Sequence, residues 1–139
     1  MSQENVEIVR QVNEAFQRGL EHGDPGAIFD TGLLADDWEW VVPVPFEGKS
    51  VWTGPQEFVE FLRLWMGEFE DYSVEFEQLI DASDDQVVII YRQRATGKGS
   101  GVPVEWDVGA VTELRDGRVI RTTNYSDPAD ALEAAGLSE

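Results

Sequence analysis

Residues 87–126 read VVIIYRQRATGKGSGVPVEWDVGAVTELRDGRVIRTTNYS, and this stretch decides the fold class. It holds three segments rich in β-branched residues, at 87–95, 102–114 and 118–126. Two short connections separate them, the glycine-rich 97–101 and the tight turn 115–117. Strands joined by connections this short run antiparallel to one another. The stretch therefore predicts an antiparallel meander and argues against a parallel nucleotide-binding sheet.

The chain before this meander has the periodicity of helices. Apolar residues recur at steps of three and four in two stretches, first at Val6, Val9, Val12, Phe16 and Leu20, and then at Phe58, Phe61, Leu62, Trp65, Met66 and Phe69. Gly23 is expected to end the first helix, and Gly54-Pro55 to open the second. Each predicted helix therefore has one broad apolar face.

Shorter elements fill the intervals. They are predicted as a short helix from Asp24-Pro25 to Phe29, a strand at 38–42 ended by a proline, alternating strands from Tyr72 onward, and a last helix at 129–135. Helices with one strand, followed by about four strands in hairpins, are typical of an α+β fold. A chain of this length fits one domain, which we place at 1–139.

Charge and composition exclude several functions. Twenty-eight acidic residues against 10 basic ones give a net charge of −18, which repels nucleic acid and anionic membranes. The chain has no cysteine, so disulfides, thiolate metal sites and cysteine nucleophiles are excluded. The single histidine, His22, lies in a predicted surface loop. We therefore expect a protein without a metal or a redox cofactor.

The N-terminal residues bear on location. Residues 1–5 lack the basic and apolar segments of a secretory signal. No stretch of the sequence approaches the ~18 uninterrupted apolar residues of a membrane span. The expected compartment is the cytoplasm.

Several strings, in their order and spacing, resemble the SnoaL-like branch of the nuclear transport factor two superfamily. They are EAF at 14–16, LADDWEW at 34–40, WTG at 52–54, LRDGRVI at 114–120 and YSD at 125–127. The resemblance covers nearly the whole chain. It implies a cone in which a curved antiparallel sheet wraps around the N-terminal helices. It also implies a pocket at the open end and a homodimer packed through the sheet.

The catalytic residues of two relatives of this fold are mostly missing. The tyrosine, base and acid of a ketosteroid isomerase-like site fall on Val12, near Val42 and on Ala110, all apolar. An epoxide hydrolase-like site keeps its arginine as Arg92, but its two acids become Arg94 and Asn124. The resemblance therefore predicts a pocket without predicting either chemistry.

The resemblance also implies which side chains face the pocket. It assigns to the interior one face of each of three strands, with Arg92 and Arg94 on the first. The predicted ligand-binding residues are Arg94, Trp106, Trp40, Val108, Ala110 and Thr122. If the protein is an enzyme, Arg92 and Asn124 polarise a ligand oxygen and Glu39 is the candidate base.

Two alternatives stay open in the sequence. Because a buried charge is costly unless it is paired, the two arginines either bind a ligand oxygen inside the pocket or pair with acids at the surface. The function is open in a similar way. One class is a cofactor-free isomerase, cyclase, dehydratase or hydrolase acting on a partly apolar oxygenated substrate. The other is a non-catalytic ligand-binding or dimerisation module.

A homodimer is predicted on the sheet face opposite the pocket. The residues expected on that face are Gln93, Tyr91, Glu105, Asp107, Thr123 and Tyr125. A broad face with tyrosines suits an interface in which both subunits use the same patch.

Overall fold

The computed structural model describes residues 2–24 and 26–137. Its helices are α1 (Ser2–His22), α2 (Gly54–Met66) and α3 (Pro128–Ala134), with a 3-10 helix at Ala27–Thr31. Its strands are β1 (Leu34–Phe46), β2 (Lys49–Thr53), β3 (Phe69–Ser83), β4 (Gln86–Gly97), β5 (Pro103–Arg115) and β6 (Arg118–Tyr125). The predicted opening of the short helix at Pro25 lies outside the described residues. In the described ranges, the helices are too short or too polar to cross a membrane.

The six strands form one curved sheet in the order β2-β1-β6-β5-β4-β3. The meander of β3, β4, β5 and β6 is antiparallel, as predicted, and the α+β class is confirmed. The exception is β1, which runs parallel to β6 with Trp40 opposite Thr122. The sheet is therefore mixed, and not antiparallel throughout as predicted. The prediction missed this pairing because contacts between distant segments leave no local signal in the sequence.

The first strand extends through its prolines, which were predicted to stop it. Its pairing with β2 jumps from Val41 opposite Val51 to Phe46 opposite Lys49, and its last pair with β6 is Val41 with Thr123. The residues between Val41 and Phe46 therefore stand outside the regular ladder. A proline there removes no ladder hydrogen bond, so the strand tolerates it.

The main core lies between the concave face of the sheet and helices α1 and α2. Phe58 of α2 is 1% exposed and lies at its centre. Its ring centroid is 4.9 Å from that of Trp38, 5.2 Å from Trp40 and 6.0 Å from Phe29. All three contacts are edge-to-face, which is a favoured geometry for aromatic pairs. The apolar stripe of α2 thus packs on β1 and on the 3-10 helix.

The opposite face of the sheet is partly covered by α3. Val88, Val111 and Ala131 form a second buried cluster there. Gly109 of β5 allows the close approach, because a Cβ at this position would lie 2.7 Å from the Cβ of Ala131 and 2.8 Å from the Cα of Pro128. The last helix therefore packs on β5 at a position that has no room for a side chain.

Gly109→Ala is expected to lower the free energy of unfolding by about 1–3 kcal/mol, because the added methyl group overpacks this contact. Gly26→Ala is the matched control, since a Cβ there meets its nearest side-chain carbon at 3.7 Å. Urea unfolding of both variants measures the difference. Equal unfolding free energies for the two variants would contradict the packing of α3 on β5.

Candidate ligand-binding site

A cavity of about 370 Å³ lies between the concave face of the sheet and helices α1 and α2. Most of its lining residues are aliphatic or aromatic. Among the described residues that line it, none is Asp, Glu, Lys, Arg or His. An apolar cavity of this size with a few polar groups is typical of small-molecule sites.

The cavity opens beside the proline-containing end of β1. Pro43, Val44 and Pro45 line the cavity and are exposed, with Val44 66% exposed. Behind this opening, the ring of Trp65 lies 5.5 Å from Phe46 and 6.3 Å from Trp106. Aromatic rings from α2, β1 and β5 therefore meet just inside the mouth.

A fixed hydrogen-bond chain joins three strands at the wall of the cavity. The Tyr91 hydroxyl donates to Oδ1 of Asn124 at 2.7 Å, and Nδ2 of Asn124 donates to the backbone oxygen of Val41 at 2.8 Å. The side chains of Tyr91 and Asn124 are buried. Because both ends of the amide are engaged, its orientation is fixed, and β4, β6 and β1 are tied together around it.

Other polar groups of the wall fall into two sets. In the first, Tyr72 donates its hydroxyl proton to Oε1 of Gln93, and Nε1 of Trp38 donates to Oγ1 of Thr122 at 3.1 Å. The second set has no hydrogen-bond partner: Nδ2 of Asn13, Nε1 of Trp40 and Oγ1 of Thr112. Buried groups of this kind are costly until something bonds them.

The two tyrosines of the wall are hydrogen-bond donors and not bases at neutral pH. Burial raises the pKa of Tyr72, and burial with the neighbouring Tyr72 raises the pKa of Tyr91 well above its usual range. Both phenols therefore stay protonated at neutral pH. Each hydroxyl donates its proton within the wall, to Asn124 or to Gln93, and neither phenol can take a proton from a ligand.

The structure brings six of the nine predicted site residues to the cavity wall. They are Asn124, Trp106, Trp40, Val108, Ala110 and Thr122. The other three, Arg92, Arg94 and Glu39, do not line it. Glu39 instead bonds Arg121 of the neighbouring β6, with Nε of the arginine 2.8 Å from Oε1 of the acid.

The predicted inward orientation of Arg92 and Arg94 is wrong. Nε of Arg92 lies 2.8 Å from Oδ1 of Asp107, and NH1 of Arg94 lies 3.0 Å from Oε1 of Glu75. Of the two alternatives, pairing with surface acids is the one that the structure shows. Burying two cations in an apolar cavity costs far more than burying the neutral side chains of the same strand, so the strand turns the other way.

The sequence prediction missed four polar residues of the wall: Asn13, Tyr72, Tyr91 and Gln93. Tyr91 and Gln93 were assigned to the outer face and are buried against the cavity instead. A signal for this orientation exists in the sequence. Acidic residues alternate along the strands on either side of Arg92 and Arg94, and opposite charges on adjacent strands favour a shared face.

A sequence profile of the family described as the SnoaL-like domain matches residues 9–122. Comparison with curated proteins found no match. Many solved structures share the fold. An NTF2-like protein from Anabaena variabilis is 18% identical, with a TM-score of 0.73 and 89% of this chain and 90% of that chain covered.

Two further solved structures are similar. One is described as a putative SnoaL-like polyketide cyclase from Jannaschia, 19% identical, with a TM-score of 0.71 and coverage of 99% of this chain and 94% of that chain. The other is Bal32a from a soil-derived mobile gene cassette, 25% identical, with a TM-score of 0.69 and 89% of each chain covered. At these identities the likeness concerns the fold.

Tyr91→Phe is expected to lower the free energy of unfolding by about 1–3 kcal/mol, because Oδ1 of buried Asn124 loses its donor. Tyr125→Phe is the matched control, since this half-buried tyrosine packs on the outer face of the sheet. Chemical unfolding of both variants gives the comparison. If both variants lose the same free energy of unfolding, the hydrogen bond from Tyr91 to Asn124 does not contribute to stability.

The free energy of unfolding is also expected to fall as the pH rises above about 10. Unfolded tyrosine loses its proton there, whereas the raised folded-state pKa keeps Tyr72 and Tyr91 protonated. The unfolded state then binds fewer protons, so stability falls with pH. Tyr72→Phe should reduce this slope by about 1.4 kcal/mol per pH unit. Urea unfolding at a series of alkaline pH values tests it, and an unchanged slope would contradict the burial of the phenol.

Proposed function

We propose that this chain, which belongs to the SnoaL-like domain family, binds a small and largely apolar organic molecule in its cavity. The observation that carries the proposal is the uncharged, aromatic-rich cavity of about 370 Å³ with a mouth at the end of β1. A bound apolar molecule gains dispersion contacts with the side chains that line this cavity. The buried polar groups of the wall would orient the bound molecule.

The second candidate is an enzyme, namely a cofactor-free isomerase, cyclase, dehydratase or hydrolase. The amide of Asn124 favours it, because Tyr91 orients this amide and its NH2 group has a second N–H, besides the one donated to Val41, that can polarise a ligand oxygen. Arg92 and Glu39 receive no chemistry in this proposal, since both lie away from the cavity. Binding is the better supported function because the described wall offers no side chain that acts as a base at neutral pH.

A thermal-shift screen of small aromatic and terpenoid compounds is expected to give stabilising hits, because a ligand that binds only the folded state raises the melting temperature. Ala110→Phe should abolish the shifts, since Ala110 lines the cavity and is 1% exposed. Ala134→Phe, at an exposed position of α3, is the matched control and should keep them. Shifts that survive in Ala110→Phe would place binding elsewhere.

Turnover assays on the same hits separate the two functions. A hit that leaves the assay chemically unchanged supports a binding protein. A hit that is converted by the wild type, and not by Tyr91→Phe, supports the enzyme and the amide that Tyr91 orients.

The expected cytoplasmic location stays a prediction.

We also propose a homodimer on the outer face of the sheet. Tyr91 and Gln93 cannot belong to this interface, because both are buried on the cavity side. The residues that remain of the predicted set are Glu105, Asp107, Thr123 and Tyr125. Arg92 and Arg94 join them, and their pairing with neighbouring acids gives the surface both signs of charge.

Sedimentation at rising salt concentration tests this assembly. The net charge of −18 opposes association of two copies, so the dimer is expected to tighten as salt screens the repulsion. Thr123→Arg, near the middle of the outer face, should shift the equilibrium toward monomer. A wild type that sediments as a monomer at micromolar concentration in both low and moderate salt would refute the dimer.

A further inference from the structure

We infer that the cavity selects neutral carbonyl compounds, such as esters, lactones and ketones on an aromatic or alicyclic body, and rejects carboxylates of the same shape. The inference rests on the proposed binding function and narrows it. Three features of the described wall carry it: the missing counter-charge, the hydrogen-bond acceptors already in use, and the unpartnered donors.

The first feature is charge. A carboxylate that enters the cavity loses its hydration, and none of the described lining residues offers a cation in return. Arg92 and Arg94 lie next to the cavity residues of β4 in the sequence, but their guanidinium groups form ion pairs with acids on the outer face. The net charge of −18 adds long-range repulsion of anions. A neutral molecule avoids both costs.

The second feature is that three side-chain oxygens of the wall already accept a hydrogen bond from the protein. Oδ1 of Asn124 accepts from Tyr91, Oε1 of Gln93 accepts from Tyr72, and Oγ1 of Thr122 accepts from Trp38. At these three oxygens, a ligand that brings only donors shares the acceptor with a hydrogen bond already made inside the protein. A ligand that brings an acceptor does not.

The third feature is a surplus of unpartnered donors. Nε1 of Trp40, Nδ2 of Asn13 and the hydroxyl of Thr112, which can also accept, have no hydrogen-bond partner, and all three residues line the cavity. An indole nitrogen can only donate, so the unmet need at Trp40 is for an acceptor. The ring of Trp40 packs 5.2 Å from Phe58 and 5.9 Å from Phe61, centroid to centroid, so this side chain lies among apolar ones. A carbonyl oxygen on an apolar body matches this combination.

Three probes with one skeleton test the inference: methyl 2-naphthoate, the 2-naphthoate anion and 2-propylnaphthalene. Calorimetric titration at neutral pH is expected to rank the ester first, the hydrocarbon second and the anion last. The ester should bind about tenfold more tightly than the hydrocarbon, which is the usual worth of one hydrogen bond. The anion should bind at least about a hundredfold more weakly than the ester because its charge stays unpaired.

Trp40→Phe tests the donor, since it removes the indole N–H and keeps an aromatic ring in the wall. The ratio of ester affinity to hydrocarbon affinity should fall from about ten toward one. Trp52→Phe is the matched control. Its indole nitrogen is also buried without a partner, but Trp52 does not line the cavity, so the ratio should be unchanged.

The outcomes separate this inference from the proposed function. Binding of the anion as tight as that of the ester overturns the selection of neutral molecules while leaving a binding cavity. Equal binding of ester and hydrocarbon to the wild type, or an unchanged ratio in Trp40→Phe, overturns the role of the donor. Failure of all three probes to bind, together with a thermal-shift screen without hits, overturns the proposed function itself.

Discussion

Neighbouring side chains on a β-strand face opposite sides of the sheet. In β4 this constraint divides the polar residues of the strand into one group that faces the cavity and one that faces outward. Once Tyr91 faces the cavity, Gln93 must follow it, and Arg92 and Arg94 must face outward. A shift of one residue would bury two guanidiniums and expose a tyrosine that now holds Asn124. The neutral cavity and the charged outer face are two results of the same choice.

The hydrogen bonds of Asn124 connect this choice to the rest of the sheet. Tyr91 of β4 bonds Asn124 of β6 across the intervening β5, and Asn124 bonds the backbone of β1 at Val41. Val41 is also the last residue of β1 that pairs regularly with β6. Beyond it, β1 leaves the ladder and forms the rim of the mouth. The amide therefore stands where the parallel pairing ends and the opening of the cavity begins.

The sequence predicts much of this fold and less of its site. Short connections and apolar periodicity are local, so α1, α2 and the strands of the meander follow from them. The parallel pairing of β1 with β6 and the strand β2 depend on contacts between distant segments, which leave no local pattern. The orientation of β4 was predicted from resemblance and is wrong, because both faces of that strand begin with apolar residues. The alternating acids of β3 and β5 distinguish the faces, but only after the strands are paired.

The distribution of charge has a consequence for the entry of a ligand. On the outer face, Glu75, Glu77, Glu105 and Asp107 surround the two arginines of β4, so even the cationic part of the sheet carries excess negative charge. Charges at the surface are screened by salt within roughly 10 Å, whereas the desolvation cost inside the cavity is not. Repulsion by the surface therefore slows the approach of an anion in low salt, and the uncharged wall weakens its binding at every salt concentration. Discrimination by the wall is for this reason the part that persists under physiological conditions.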